Sequence, residues 1–324
     1  MSKTDAEPLT HLPADIGIAE FDALHDQPER WRGVIETIAA RYSAAPVTQP
    51  DDGTALVGLV GDELVIKLYP PFLRDHCEFE AAVLPRLHGR LGVPTPALLD
   101  RFEHQGWPGH VMTRLTGTPL DRVWPSLDEP NRCALLAALG RLATEVHALP
   151  VQDIATLAPA WTDFIERQRA GCLRRQTRTG LPEHLLAQLE AFIAGPLPSG
   201  PLSGPLSGPG VILTGEYTPF NLLVAPGASG EMVLSGMFDF GDGLVGPAAY
   251  DWLGPLCFLA AGHRARREAF FSGYGLAPQD WPAQRLALLR LLLLHRYSAL
   301  KAQIACPGWQ QAATFDELAA LAWP

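Results

Sequence analysis

Apolar and polar positions follow a short period early in the chain and a longer one later. From Val47 the text VTQPDDGTALVGLVGDELVIKLYPP reads as strand, turn, strand, with Gly61-Asp62 as the hairpin signal and Leu64 to Leu68 as the second apolar run. Before it, Met1 to about Arg30 is polar and punctuated by proline, which predicts a loose arm with one short helix, and Trp31 to Tyr42 has helical spacing. After it, the pattern predicts a helix over Leu73 to Arg90, a strand at Leu98 to Phe102, a turn over Gln105 to Gly109 and a strand at His110 to Met112. Pro94 and Pro96 act as breakers.

Beyond Pro119 the period lengthens. Leu135, Leu139, Leu142, Val146 and Leu149 define the apolar stripe of a helix over Asn131 to Leu149, with His147 near its end as a dipole partner. Further helices are predicted over Trp161 to Arg175, Glu183 to Ile193, Tyr250 to Ala261, Arg264 to Tyr274 and Arg285 to Gln303, with a terminal segment TFDELAALAWP. Asp251, near the start of one of these, is placed to cap it or meet its dipole. Residues 195 to 210, GPLPSGPLSGPLSGPG, form a short tandem of Pro-Leu-Ser-Gly that reads as a surface loop.

The chemistry concentrates between Val211 and Asp251. Two apolar runs, Val211 to Leu213 and Leu222 to Val224, flank the polar turn Gly215-Glu216-Tyr217-Thr218-Pro219-Phe220-Asn221, and a Gly/Ser-containing hairpin leads to Leu234 to Phe238, which ends on Asp239. A carboxylate, an amide and a second carboxylate therefore stand at adjacent strand ends. Mg²⁺ suits such a set, because it takes one or two protein carboxylates and keeps phosphate oxygens and waters as its other ligands. Phosphoryl transfer needs an acid beside the attacking hydroxyl, an Asn and an Asp for the metal, and a Lys on the phosphates. Lys67, inside the Leu64 to Leu68 strand, supplies the last of these.

Composition narrows the picture. The 324 residues are 47% hydrophobic, enough for a large core and more than one core usually serves, so two lobes are expected. A formal net charge of −10 argues against nucleic acid as a partner and suits a cationic small molecule. Cys77, Cys133, Cys172, Cys257 and Cys306 are scattered without a C-x-x-C pair, which predicts neither a disulfide framework nor a zinc site. The N-terminal text carries charges and prolines where a secretory segment needs an apolar run, and Leu286 to Leu294 contains Arg290 and is too short to span a bilayer. No membrane association is expected, and the expected location is the cytoplasm.

Thr214-Gly215-Glu216 followed by Asn221, then Phe238-Asp239-Phe240-Gly241-Asp242 and Gly246 to Asp251, resembles the catalytic and metal-binding loops of the aminoglycoside phosphotransferase family, which shares the protein-kinase fold. That family usually carries His-Gly-Asp where this chain has Thr214-Gly215-Glu216. VIKLY around Lys67 and Val111-Met112-Thr113-Arg114-Leu115 fit the resemblance, and the tail is similar to that of the hygromycin B phosphotransferase branch. The resemblance implies an α+β, bilobal fold: a small N-terminal lobe with an antiparallel sheet over residues 1–112, a linker over 113–118, and a larger, mainly helical C-terminal lobe over 113–324.

It also implies roles. Lys67 would hold the phosphates of ATP or GTP, and Glu80, just before an Ala-rich run, would position Lys67. The backbone around Met112, Arg114 and Leu115 would meet the purine edge. Asn221 and Asp239 would bind Mg²⁺, Glu216 would orient or deprotonate the acceptor hydroxyl, and Asp251 matches a structural Asp. The acids Asp163, Glu166 and Asp242 would receive substrate amines. The implied activity is transfer of a phosphoryl group to a hydroxyl of a small molecule, an aminoglycoside foremost. A nucleotide-binding pseudokinase and a kinase of another small metabolite are the alternatives.

Overall fold

The computed structural model describes residues 8–50, 53–198, 210–215, 217–276 and 281–324. Glu216 and most of the Pro-Leu-Ser-Gly stretch lie outside the described residues. The chain divides into two compact units, Met1–Arg90 with Pro94–Thr116, and Leu91–Val93 with Gly117–Pro324.

In the first unit, helices α1 (Ile18–His25) and α2 (Pro28–Ala39) precede strands β1 (Val47–Thr48), β2 (Leu56–Val60) and β3 (Leu64–Leu68). Helix α3 (Arg74–Leu87), β4 (Leu98–His104) and β5 (Trp107–Thr113) follow. The strands form one antiparallel sheet in the order β1-β2-β3-β5-β4. Strand alternation turns Ile66 and Leu68 to the face where they are buried with Phe21, Leu24, Trp31, Ile35 and Ile38 of α1 and α2. Helix α2 comes so close that a Cβ on Gly58 would lie 2.3 Å from Ile35, so only glycine fits there.

From residue 8 onward the N-terminal arm is not loose. Leu12, Phe21 and Leu24 are buried, the Leu9 N–H donates to the Arg30 carbonyl at 2.8 Å, and the Trp107 indole N–H donates to the Pro13 carbonyl at 2.9 Å. A sparse set of apolar residues in polar text closes a sheet face that would otherwise meet water. The turn after β4 is also tighter than predicted. It is confined to Gln105 and Gly106, both at positive φ (54° and 84°), and Pro108 and Gly109 belong to β5. Pro108 is tolerated near the strand start, where it offers its carbonyl to the Tyr69 N–H at 2.9 Å.

The second unit is mainly helical. It contains β6 (Thr118–Pro119), α4 (Leu120–Val123), α5 (Glu129–His147), α6 (Trp161–Arg178) and α7 (Glu183–Ile193), then β7 (Val211–Leu213), β8 (Leu222–Pro226), β9 (Met232–Met237) and β10 (Leu244–Gly246). Helices α8 (Arg264–Tyr274), α9 (Trp281–Leu293), α10 (Leu300–Gln303) and α11 (Phe315–Ala322) complete it. Asp128 caps α5 by accepting the Asn131 N–H at 2.9 Å. Helices α5 and α8 meet at glycines: a Cβ on Gly140 would lie 2.2 Å from the Phe270 carbonyl oxygen, and one on Gly273 2.0 Å from that of Ala137.

Three sequence expectations are corrected here. The runs at Val211 and Leu222 are not neighbours in one sheet: β7 pairs with β10, and β8 pairs with β6 and β9. Tyr250 to Ala261 is not one α-helix but a 3-10 turn at Ala248–Tyr250 and a π turn at Pro255–Leu259. The break falls in the turn at 251–252, and Pro255 sits in the first turn of the segment that follows, where its missing N–H is tolerated. Arg285 to Gln303 is split after Leu293, whose carbonyl accepts from Arg175 at 3.1 Å and Gln176 at 3.2 Å, so the helix end is satisfied by another helix. Among the described residues no helix is long and apolar enough to cross a membrane.

Candidate active site

Chemistry gathers in two clusters, one per unit. In the first, the β3–β5 register sets Lys67 opposite His110 on the sheet face that α3 covers. Glu80 projects from α3 and is fully buried, and its carboxylate lies 3.0 Å from Lys67 Nζ, itself 6% exposed. The Tyr69 hydroxyl donates to the same carboxylate, and His110 Nδ1 stands 3.6 Å from it. Burial alone would raise the Glu80 pKa, but the Lys67 ammonium, His110 and Tyr69 outweigh it and hold the group well below the usual carboxylate range. Glu78, two residues away, is not part of this cluster: a two-residue step on a helix points elsewhere.

The Met112 to Leu115 stretch ends β5. Met112 is buried and paired with Val65 and Leu98, the Thr113 N–H donates to the Ala97 carbonyl at 3.0 Å, and the Arg114 N–H to the Glu63 carbonyl at 2.7 Å. The Arg114 guanidinium also donates to the Gly61 carbonyl in the β2–β3 turn. Two of the backbone donors expected to face a purine are thus used within the sheet.

In the second unit, β7 delivers Thr214 and Gly215 against β10 and the turn before it. Gly215 has φ 75°, and a Cβ there would lie 2.9 Å from the Asp242 carbonyl oxygen. Asp251 fastens this segment: its two oxygens accept the Thr214 N–H at 3.0 Å and the Gly215 N–H at 2.9 Å. His147 Nε2 lies 3.1 Å from Asp251 Oδ2, and its Nδ1 is 2.8 Å from the Tyr274 hydroxyl. Asp251 therefore does not cap its own segment but holds a distant loop.

Asn221 and Asp239 stand at one end of the β8–β9 hairpin. Leu222 pairs with Met237, and the Phe238 N–H donates to the Asn221 carbonyl at 3.1 Å, so Asp239 emerges beside Asn221. Asp239 holds φ 66°, a left-handed backbone that a non-glycine residue adopts rarely. One carboxylate and one amide oxygen fit a hard cation such as Mg²⁺, which needs few protein ligands. Among the described residues no group of three or more His, Cys, Asp or Glu is arranged to hold a metal.

The three acids assigned to substrate fall in different settings. Asp163 and Glu166 are exposed on α6. Asp242 is buried and already compensated: Arg296 donates to Oδ1 at 3.0 Å and the Tyr297 hydroxyl at 2.7 Å. Such a carboxylate carries little unbalanced charge for an incoming amine.

Residues 50–287 match the model of the phosphotransferase enzyme family, APH. The chain belongs to this family. Solved phosphotransferases share its fold: the GDP and kanamycin complex of APH(2")-IIia superposes with a TM-score of 0.65 at 18% identity over 83% of this chain and 89% of that one. The streptomycin–ATP complex of APH(2")-IIa gives 0.58 at 15% identity, over 84% and 96%. APH(3'')-Id from Streptomyces rimosus, with ADP and streptomycin, gives 0.59 at 19% identity, over 82% and 98%. No curated protein matches the chain. At these identities the likeness fixes the fold, which is the kinase-like aminoglycoside phosphotransferase fold, with an antiparallel sheet in the N-terminal region and a mostly helical remainder.

Several residues of this phosphotransferase-family chain escape a reading by motif. His110, Tyr69 and Cys77 surround the Lys67–Glu80 pair, and only the β3–β5 register could have singled out His110. His147 reads as a dipole partner but holds Asp251. His295, buried and stacked on Tyr250 at 4.6 Å, accepts the Tyr297 N–H at 3.2 Å and faces the Gly215 backbone from an apolar helix end, and no local signal marks it.

Proposed function

We propose that this protein moves the γ-phosphate of ATP or GTP to a hydroxyl of a small cationic molecule, most readily an aminoglycoside, with hygromycin B among the acceptors to be tried first. The observation that carries this reading is the hairpin end, where Asn221 and Asp239 emerge side by side and Asp239 keeps a left-handed backbone. Strain of that kind persists where the surrounding structure and a ligand-binding task maintain it.

In this reading Lys67 draws on the nucleotide phosphates and Glu80 fixes the direction of its ammonium. Asn221 and Asp239 hold Mg²⁺, which when bound neutralises charge on the phosphates. Glu216 orients the acceptor hydroxyl and takes its proton as the acceptor oxygen bonds to phosphorus and the nucleoside diphosphate leaves. Asp251 accepts the N–H groups of Thr214 and Gly215, the two residues that precede Glu216 in the sequence. Transfer of this type asks the protein mostly for positioning and charge neutralisation. Exposed Asp163 and Glu166 are the acids for substrate amines, and the net charge of −10 favours a cationic acceptor. Relatives of the same fold crystallised with kanamycin, gentamicin or streptomycin, and with GDP, ADP or ATP, support both substrate classes. A nucleoside triphosphate donor favours the cytoplasm as the location of the reaction.

A coupled turnover assay with Mg-ATP and Mg-GTP against a panel of aminoglycosides, with Asp239→Ala as the blank, tests the proposal. The expected result is turnover that needs both a panel member and Asp239. Nucleotide binding with no acceptor-dependent turnover would overturn it. Within an active enzyme, Glu216→Asp then shows whether the loop is built around the longer acid: a fall in turnover says that it is.

A further inference from the structure

Behind Lys67 and Glu80 lies a buried pair for which the phosphate-binding reading has no use. Cys77 and Glu80 are three residues apart on α3 and so face the sheet together. His110 sits between them in space: its Nε2 is 3.1 Å from Cys77 Sγ and its Nδ1 is 3.6 Å from Glu80 Oε2. All three side chains are inaccessible to water, with His110 and Glu80 0% exposed and Cys77 2%. His110 Nδ1 has no partner within hydrogen-bonding distance, so the Glu80 carboxylate is the group that it addresses.

A neutral imidazole carries one proton, and its position is set by what the other nitrogen meets. Burial, with the Glu80 carboxylate second, pushes the Cys77 thiol up to about 12, so sulfur keeps a proton that it can donate to Nε2, 3.1 Å away. With Nε2 accepting from the thiol, the imidazole proton resides on Nδ1 and points at Glu80. Were it on Nε2, a lone pair would face a buried carboxylate. That carboxylate would turn away, and the Lys67 ammonium, held by both of its oxygens at 3.2 and 3.0 Å, would follow it.

We infer that Cys77 and His110 form a positioning relay for Lys67: the Cys77 thiol fixes the His110 tautomer, and Nδ1–H of His110 fixes the Glu80 carboxylate that aims the ammonium at the nucleotide phosphates. The inference rests on the reading of Lys67 as the phosphate-binding residue. Neither Cys77 nor His110 touches the nucleotide, and both act through Glu80.

The test pairs a spectrum with a binding measurement on the full chain. With histidine labelled by ¹⁵N, two-bond proton–nitrogen correlations report which ring nitrogen of His110 is protonated, the signal being assigned by its loss in His110→Asn. Binding of Mg-ATP and Mg-GTP is followed by calorimetry. Wild-type protein shows Nδ1–H. Cys77→Ala, which takes the thiol from Nε2, raises the share of Nε2–H and weakens nucleotide binding by about three- to tenfold, the weight of a modest polar contact, since His110 Nδ1 and Glu80 stand 3.6 Å apart. Cys77→Ser, whose hydroxyl also donates, restores both. Nε2–H in the wild type, or a tautomer change in Cys77→Ala with unchanged affinity, would overturn the relay. Lys67→Met separates the two ideas: nucleotide affinity unchanged in that variant removes Lys67 from phosphate binding and the relay's purpose with it. Weakened binding in Lys67→Met beside unaltered binding in Cys77→Ala removes the relay alone.

Discussion

The carboxylate of Asp251 accepts the backbone N–H of Gly215 at 2.9 Å, across 36 positions of sequence. The same side chain takes the Thr214 N–H and faces His147, so one buried acid organises a loop, a helix end and, through His147, Tyr274. Asp251→Asn keeps one acceptor but brings an amide donor against a backbone N–H. We expect a loss of roughly 2 kcal/mol in urea unfolding and a marked fall in acceptor-dependent turnover. Unchanged stability would show that the clamp bears no weight.

Asp239 carries two demands that substitution can separate. Asparagine tolerates a left-handed backbone better than alanine does, and it lacks the charge. Asp239→Asn is expected to keep stability within about 0.5 kcal/mol while abolishing Mg-dependent turnover. Asp239→Ala is expected to lose turnover and about 1 kcal/mol of stability as well. Parallel denaturation and turnover curves for the two variants check this.

Removing one member of the Lys67–Glu80 pair strands the other. Lys67→Met leaves a buried carboxylate without its ammonium counter-charge, and the cost is expected to approach ~3 kcal/mol. The double variant Lys67→Met/Glu80→Leu removes the charge too and is expected to regain part of that stability while binding nucleotide no better. A double variant less stable than Lys67→Met would refute the assignment of stranded charge.

His295 predicts a pH dependence. Burial, with Arg296 and Arg175 adding to it, lowers its pKa from 6.5 to about 3. Below about 6.5 the unfolded chain takes up a proton that the folded chain refuses until about 3, so stability is fully present above this window and falls as pH drops through it. The slope from this group is at most ~1.4 kcal/mol per pH unit. Urea midpoints of wild type and His295→Gln between pH 7 and pH 4 should diverge in slope, with the variant flatter.

Gly140 sits where α5 meets α8, and a methyl group there would collide with backbone rather than with a movable side chain. Gly140→Ala should gain helix propensity yet lose more than ~2 kcal/mol net. Thermal melting beside an exposed control, Gly33→Ala in α2, where a Cβ meets nothing within 4 Å, distinguishes packing from propensity.

The sequence by itself determined the elements whose signals are local. The apolar run from Leu64 to Leu68 and the helical stripe from Leu135 to Val146 need only neighbours a few residues away, and the short motifs around Lys67, Asn221 and Asp239 carried the resemblance that implied the α+β kinase-like fold. Tertiary structure decided what depends on partners distant in the chain. Leu293 ends α9 because Arg175 and Gln176 take its carbonyl, Val211 to Leu213 pairs with Leu244 to Gly246 rather than with its neighbour, and polar-looking residues 8–42 close a sheet face. His110, His147 and His295 have their roles for the same reason. A histidine's task is set by what its two ring nitrogens meet, and here those groups lie on elements that the chain brings together only when it folds.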